Sequence, residues 1–190
     1  MAQHKFAFGL LVSCLVTGAV SPEAIADDTN PNVMYVANMA KIPMGGVKAL
    51  QGLDVPVAVS TAVPDEFFLR EIELEFGDWG GTTYRLIYDG YYDNSLVKTC
   101  FAIEGTNDGV GGLALGNASY SFASSVFGRG TIEAGYYGSS ESSTFLGDWV
   151  GRGNGYYRFV GAGVYDSLAG CENVSVDQAI AISESLQYLP

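Results

Sequence analysis

The chain has 190 residues, 25 of them glycine, with 16% charged and 13% aromatic positions and a formal net charge of −12. So acidic a surface disfavours nucleic acid and anionic membranes as partners. The single histidine, His4, lies in a segment that reads as a removable leader. The mature chain therefore has no Ser-His-Asp or Cys-His catalysis and no histidine metal ligand available to it.

Met1 to Ala26 carries Lys5, an apolar run from Phe6 to Val20, and Ala24-Ile25-Ala26 before Asp27, the pattern of a secretory signal peptide. Cleavage after Ala26 predicts a secreted or periplasmic protein. The alternative is a lipoprotein anchored at Cys14, because Leu11-Val12-Ser13-Cys14 resembles a lipoprotein box. No later segment has the roughly 20 apolar residues of a spanning helix. Removing 26 of the 190 residues leaves 164, the size of one domain over 33–190. Lys5 and Glu23 leave together, so the net charge stays at −12.

Two cysteines then remain, Cys100 and Cys171, and in an oxidising compartment they most simply form one disulfide. Such a bridge stabilises by about 4 kcal/mol in the chain-entropy model. A reactive thiol would want a CxxC spacing or a histidine partner, and the mature chain offers neither.

In chain order, Asp27 to Asn32 reads as a disordered lead-in. Val33–Ala37 and Val55–Val63 read as strands, separated by a loop with one short helical turn. Glu66–Phe76 alternates as a strand, with Phe68, Ile72, Leu74 and Phe76 on one side and Leu69, Glu71, Glu73 and Glu75 on the other. Arg70 interrupts the apolar side, and the glutamates read as a solvated face, not a metal site. Beyond the turn Gly77–Gly81, Thr82–Tyr88 and Leu96–Glu104 are expected to pair as a hairpin. The turn Gly105–Gly112 lacks the acidic spacing of an EF-hand.

Leu113–Val126, Arg129–Tyr137, Thr144–Val150 and Tyr156–Tyr165 supply the remaining strands. About eight short strands at this spacing predict an all-β fold, a single antiparallel barrel, with a β-sandwich as the alternative. Gly151-Arg152-Gly153-Asn154-Gly155 lies between strands and lacks the helix that a dinucleotide loop requires, so no cofactor is expected. In the tail, Ser175 and Gln178 match a capping box, and Ala179, Ile182, Leu186 and Leu189 make a helical stripe. Ala179 to Ser185 also alternates as a closing strand would, so a short C-terminal helix and a strand both stand.

The segment Gly151 to Ser167 has a glycine-paired turn (Gly153, Gly155), then Tyr156 or Tyr157, then Gly161, Gly163 and Tyr165, with Phe145, Gly147 and Trp149 upstream. In this it resembles secreted allene oxide cyclase-like and dirigent-like barrel proteins. The resemblance spans about 40 residues and implies an eight-stranded antiparallel barrel. It carries over no catalytic residue, and a shared fold would not transfer an activity.

Three functional expectations follow. A binding module would hold a small apolar or aromatic ligand against rings, with Trp79, Tyr84, Tyr88, Trp149, Tyr156 and Tyr157 as the candidates. A cofactor-free cyclase or isomerase would act by shape and proximity, with Asp78, Glu104 or Asp148 as acid or base. A structural protein would assemble with itself or an envelope partner. Oligomeric state is not readable from the sequence.

Overall fold

The computed structural model describes residues 30–78, 80–91, 97–111, 115–137 and 143–190; the expected leader at 1–26 lies outside them. The described chain opens with two helices, α1 (Pro31–Met39) and α2 (Met44–Gln51). Asn30 caps α1 through its side-chain oxygen, which accepts from Asn32 N at 3.0 Å, and Pro31 occupies the first turn. Val33, Val36 and Ala37, three and four residues apart, form its buried stripe. The strand expected at Val33–Ala37 is therefore a helix, and it begins inside the expected disordered lead-in. The single turn expected next is α2, which buries Val47 and Leu50.

Ten strands follow: β1 (Ala58–Ser60), β2 (Phe67–Phe76), β3 (Thr82–Tyr91), β4 (Lys98–Thr106), β5 (Gly116–Ser124), β6 (Gly128–Tyr136), β7 (Ser143–Gly147), β8 (Val150–Arg152), β9 (Gly155–Gly161) and β10 (Leu186–Tyr188). Eight make one antiparallel sheet in the order β2-β3-β4-β9-β7-β6-β5, with β8 paired to β9. The antiparallel all-β expectation holds. Closure into a barrel does not: β2 and β5 form the two edges and are not paired with each other. β1 and β10 form a separate two-stranded ribbon.

The concave side of the sheet is filled. Tyr84, Leu86 and Tyr88 of β3, Phe101 and Ile103 of β4, and Tyr157 and Phe159 of β9 pack with the helices and the ribbon in one core. Phe101 is its centre, with ring centroids 4.9 Å from Tyr88, 5.2 Å from Phe67 and 5.7 Å from Phe159. Three tyrosine hydroxyls tie the sheet to the layer inside it. Tyr84 accepts from Ala58 N at 2.6 Å and donates to Ala58 O at 3.0 Å; Tyr88 donates to Ala40 O at 2.9 Å; Tyr157 donates to Pro56 O at 2.7 Å. Gly105 must be glycine for this packing, because a Cβ there would overlap the Tyr84 ring.

A bulge at Arg70 rephases β2: Leu69 pairs with Tyr88, but Glu71 pairs with Ile87. Phe67 and Leu69 therefore face the core, while Phe68, expected beside Ile72, points the other way and is 52% exposed. The insertion aims Arg70 at Asp89 instead of leaving it on an apolar face.

The convex side carries a second, smaller core of Ile87, Cys100, Ala102, Leu146 and Val160, covered by Ala162, Val164 and Leu168. The covering segment leaves β9 at Gly161, makes a short 3-10 turn at Asp166–Leu168, and returns to β4. There Cys171 is disulfide-bonded to Cys100, with 5.7 Å between Cα atoms, and Glu172 bridges Thr99 in parallel. The expected strand Tyr156–Tyr165 thus ends four residues early. The expected strand Thr144–Val150 is divided into β7 and β8, with Asp148 and Trp149 between them.

The helical reading of the tail holds, and the closing strand expected at Ala179–Ser185 does not form. Ser175 and Gln178 form the reciprocal capping box of α3 (Val176–Glu184), which buries Ala179 and Ile182. Leu186, which the helical stripe included, instead starts β10.

Candidate functional site

In register, the convex faces of four adjacent strands place Glu73 opposite Arg85, Arg85 opposite Glu104, and Glu104 opposite Arg158. A row of alternating charge therefore crosses the sheet, and opposite charges directly across a ladder attract. Glu104 is its centre, only 2% exposed. Arg85 Nε donates to its Oε1 at 2.9 Å and Arg158 Nε to its Oε2 at 2.6 Å. The Tyr165 hydroxyl, delivered by the covering segment, lies 2.8 Å and 3.0 Å from the two oxygens. A carboxylate this deep needs such partners, since an unpaired buried charge costs several kcal/mol.

The arginines are held on other sides as well. Arg85 Nη1 reaches Glu73 at 3.4 Å and Nη2 reaches Glu75 at 3.1 Å, while its guanidinium stacks 4.2 Å from the Tyr165 ring centroid. Arg158 Nη2 donates to the Tyr165 hydroxyl at 2.8 Å, and its guanidinium lies 4.1 Å from the centroid of Trp149. Burial works against the Arg85 charge, but Glu104, Tyr165 and Glu75 together more than offset it and the arginine pKa stands above its ordinary value. Burial, and next the charge of Glu104, raise the Tyr165 phenol above its usual 10.0.

An open cleft of about 460 Å³ lies above this row, lined by Glu75, Thr83, Arg85, Glu104, Thr106, Asp108, Trp149 and Arg158 and by the backbone near Gly77, Gly109 and Gly111. Its floor is cross-linked by hydrogen bonds. Thr83 and Thr106 share a hydroxyl hydrogen bond of 2.8 Å, Thr106 Oγ1 accepts from Asp108 N at 3.0 Å, and Trp149 Nε1 donates to Gly111 O at 2.9 Å.

A second ion cluster sits at the far end of the same face, where Asp89, buried beside the disulfide, lies 3.2 Å from Arg70 and 3.3 Å from Lys98. Arg70 Nη2 also donates to Ser167 O, which holds the covering segment at that end. Among the described residues one trio of potential metal-ligand atoms gathers within 4.8 Å, from Asp89, Cys100 and Cys171. Its two sulfurs are bonded to each other, so it offers no thiolate to a metal.

Of the residues singled out from sequence, Glu104 and Trp149 meet in this cleft. Tyr156 shares the convex face, paired with Thr106, and is half-buried. Tyr84, Tyr88 and Tyr157 are fully buried on the opposite face as the three backbone struts. Asp78 is exposed in the turn before β3. Asp148 is exposed as well, where its Oδ2 caps Thr131 by accepting from its backbone N at 2.9 Å. Trp79 lies outside the described residues. Sequence reasoning passed over Arg85, Arg158 and Tyr165. Arg85 and Arg158 each alternate with apolar neighbours on their strands, a signal that becomes specific only once the register is known.

The fold and the cleft define an all-β protein: an open antiparallel sheet with a filled concave side and a polar, aromatic-edged cleft on its convex side. Comparison with protein-family models, curated proteins and solved structures gives no match.

Proposed function

We propose that this protein is a secreted or periplasmic binding module that takes a small, neutral, hydroxyl-bearing ring compound, a saccharide being the simplest case, in the convex cleft. The observation that carries this reading is the ion-paired row Glu73-Arg85-Glu104-Arg158 under an open cleft edged by Trp149. Preformed polar groups beside one aromatic wall suit a ligand that has hydroxyls around its rim and a flat apolar face. Glu75, Glu104 and Asp108 against Arg85 and Arg158 leave the lining slightly negative, which disfavours an anionic ligand. Export through the leader ending at Ala26, with anchoring at Cys14 as the alternative, agrees with the disulfide.

The cyclase or isomerase reading needs a carboxyl group able to exchange a proton with a substrate. Glu104 is the carboxylate in the right place, but both of its oxygens are already engaged by two guanidiniums and a phenol. That arrangement favours positioning over acid–base work.

Titration calorimetry of the mature protein against a panel of neutral mono- and oligosaccharides tests the proposal. Saturable binding is expected, weakened about tenfold by Trp149→Ala, since stacking on one ring is worth roughly 0.5–1.5 kcal/mol. Tyr88→Phe, on the opposite face, should leave affinity unchanged. Absence of binding across the panel, or full affinity in Trp149→Ala, would overturn it.

A further inference from the structure

The far end of the convex face holds a cluster that the cleft does not use. Asp89 of β3 stands directly across the ladder from Cys100 of β4, and Cys171 reaches the same spot from the covering segment. A carboxylate oxygen of Asp89 and the two sulfurs lie within 4.8 Å of one another. Asp89 is only 4% exposed. Its Oδ2 accepts from Arg70 Nη1 at 3.2 Å and from Lys98 Nζ at 3.3 Å. Its Oδ1 is 3.2 Å from the same arginine nitrogen, yet among the described residues it accepts no hydrogen bond. Buried polar atoms ordinarily have such a partner. Beside the two sulfurs, therefore, lies a carboxylate oxygen with unused lone pairs.

We propose that Asp89, Cys100 and Cys171 form a Zn²⁺ site that comes into being when the disulfide is reduced. A dithiol reductant supplies the two electrons. Its thiolate attacks the half-buried Cys171 sulfur and the Cys100 sulfur leaves; the reductant's second thiol then displaces Cys171 and closes its own disulfide. The two protein thiols give up their protons to solvent as they ligate the metal. Tetrahedral zinc at about 2.3 Å from each sulfur sets the sulfurs about 3.8 Å apart, within reach of side-chain rotation at a Cα–Cα distance of 5.7 Å. The backbone is held without the covalent bond, because Cys100 N donates to Glu172 O at 3.1 Å and Glu172 N to Lys98 O at 2.8 Å. Water on the exposed side of Cys171 completes the fourth position.

Two thiolates and one carboxylate select zinc over magnesium and calcium, which take all-oxygen sets. Three anionic ligands around a dication leave one net negative charge, and Arg70 and Lys98 stand beside it. The same two cations favour the thiolate forms and fix the orientation of the carboxylate. Zinc thus takes over from the bridge as the anchor of the covering segment.

The mature chain is reduced with a phosphine, freed of it without air, and titrated with Zn²⁺ against a chromophoric chelator and separately with Co²⁺. One Zn²⁺ per reduced chain is expected, with thiolate-to-metal charge transfer in the Co²⁺ form. Zn²⁺ should raise the urea midpoint of the reduced chain and leave that of the oxidised chain unchanged. Asp89→Asn should weaken zinc binding more than about tenfold, since even an outer partner of a metal ligand is worth about 10–100-fold. Asp78→Asn, in an exposed turn, should bind as the wild type does. A reduced wild-type chain that takes up no zinc would overturn the proposal, as would equal uptake by the oxidised chain. Full affinity in Asp89→Asn would do the same. Should that variant lose its native circular dichroism, the midpoint of the reduced wild type decides, and no rise with zinc rejects the site.

Discussion

Glu104 shows how one side chain can be a structural and a site residue at once. Its two oxygens unite β3, β4, β9 and the covering segment, and it forms part of the cleft floor. Replacing a buried ion pair by packed apolar groups can be neutral, but removing one partner leaves the others uncompensated. Glu104→Ala leaves Arg85 and Arg158 facing one another and should destabilise by about 3–5 kcal/mol, read as a lower urea midpoint at unchanged slope. A midpoint within error of wild type would mean that the row contributes nothing net. Glu104 was visible in the sequence as a candidate, yet its reason for being there was not. The residues that explain it are 19 and 54 positions away, and no pattern within β4 announces them.

Among the elements, strands with strict alternation were the most legible. The described part of the strand expected at Leu96–Glu104, from Lys98 on, divides in the structure as the alternation says, with Phe101 and Ile103 in the large core and Cys100 and Ala102 in the small one. Where two periodicities overlapped, local chemistry decided. Val33, Val36 and Ala37 suit a helix only because Asn30 and Pro31 start one there. The bulge at Arg70 had no visible cause in the strand itself, since the ionic partner that rewards it, Asp89, belongs to β3. The covering segment was read as more strand because its glycines and Tyr165 suit a coiled sheet equally well. Its anchor is the disulfide, which closes a loop of 71 residues. Cys100→Ala with Cys171→Ala should lower stability by about 4 kcal/mol in the chain-entropy model, measured by denaturant unfolding of the two forms. The same pair should also loosen Tyr165 from Glu104, so cleft affinity should fall together with stability. Unchanged affinity in the folded variant would show that the opposite ends of the segment are held independently.

For the whole molecule, composition and strand spacing predicted an antiparallel all-β fold, but closure was out of reach. Whether a curled sheet meets itself depends on what fills it, and here two helices, a third helix and a ribbon occupy the concave side. That filling turns ring residues suited to a ligand into struts, and it makes the molecule sensitive to alkali. Burial pushes the Tyr84 and Tyr88 phenols well above their ordinary 10.0. Below that value folded and unfolded chains both keep the proton, and the contribution to stability is complete. Above it the unfolded chain loses the proton first, so stability falls as pH rises toward the folded-state values, by up to about 1.4 kcal/mol per pH unit for each phenol. Unfolding free energies measured from about pH 9 to about pH 12 should show this decline. Tyr88→Phe should make it shallower, and an equal slope in that variant would contradict the assignment.

The position of the disulfide also determines how the protein responds to a protease. Ser125 and Val126, at the turn between β5 and β6, are exposed, and they lie between the two bonded cysteines. A single cut there separates no fragment, because Cys100 remains with one piece, Cys171 with the other, and the bond spans the break. Nicked protein should migrate as one band without reductant and as two with it. Survival of the protein against such a cut would then be limited by reduction of the bridge, and not by the first cleavage.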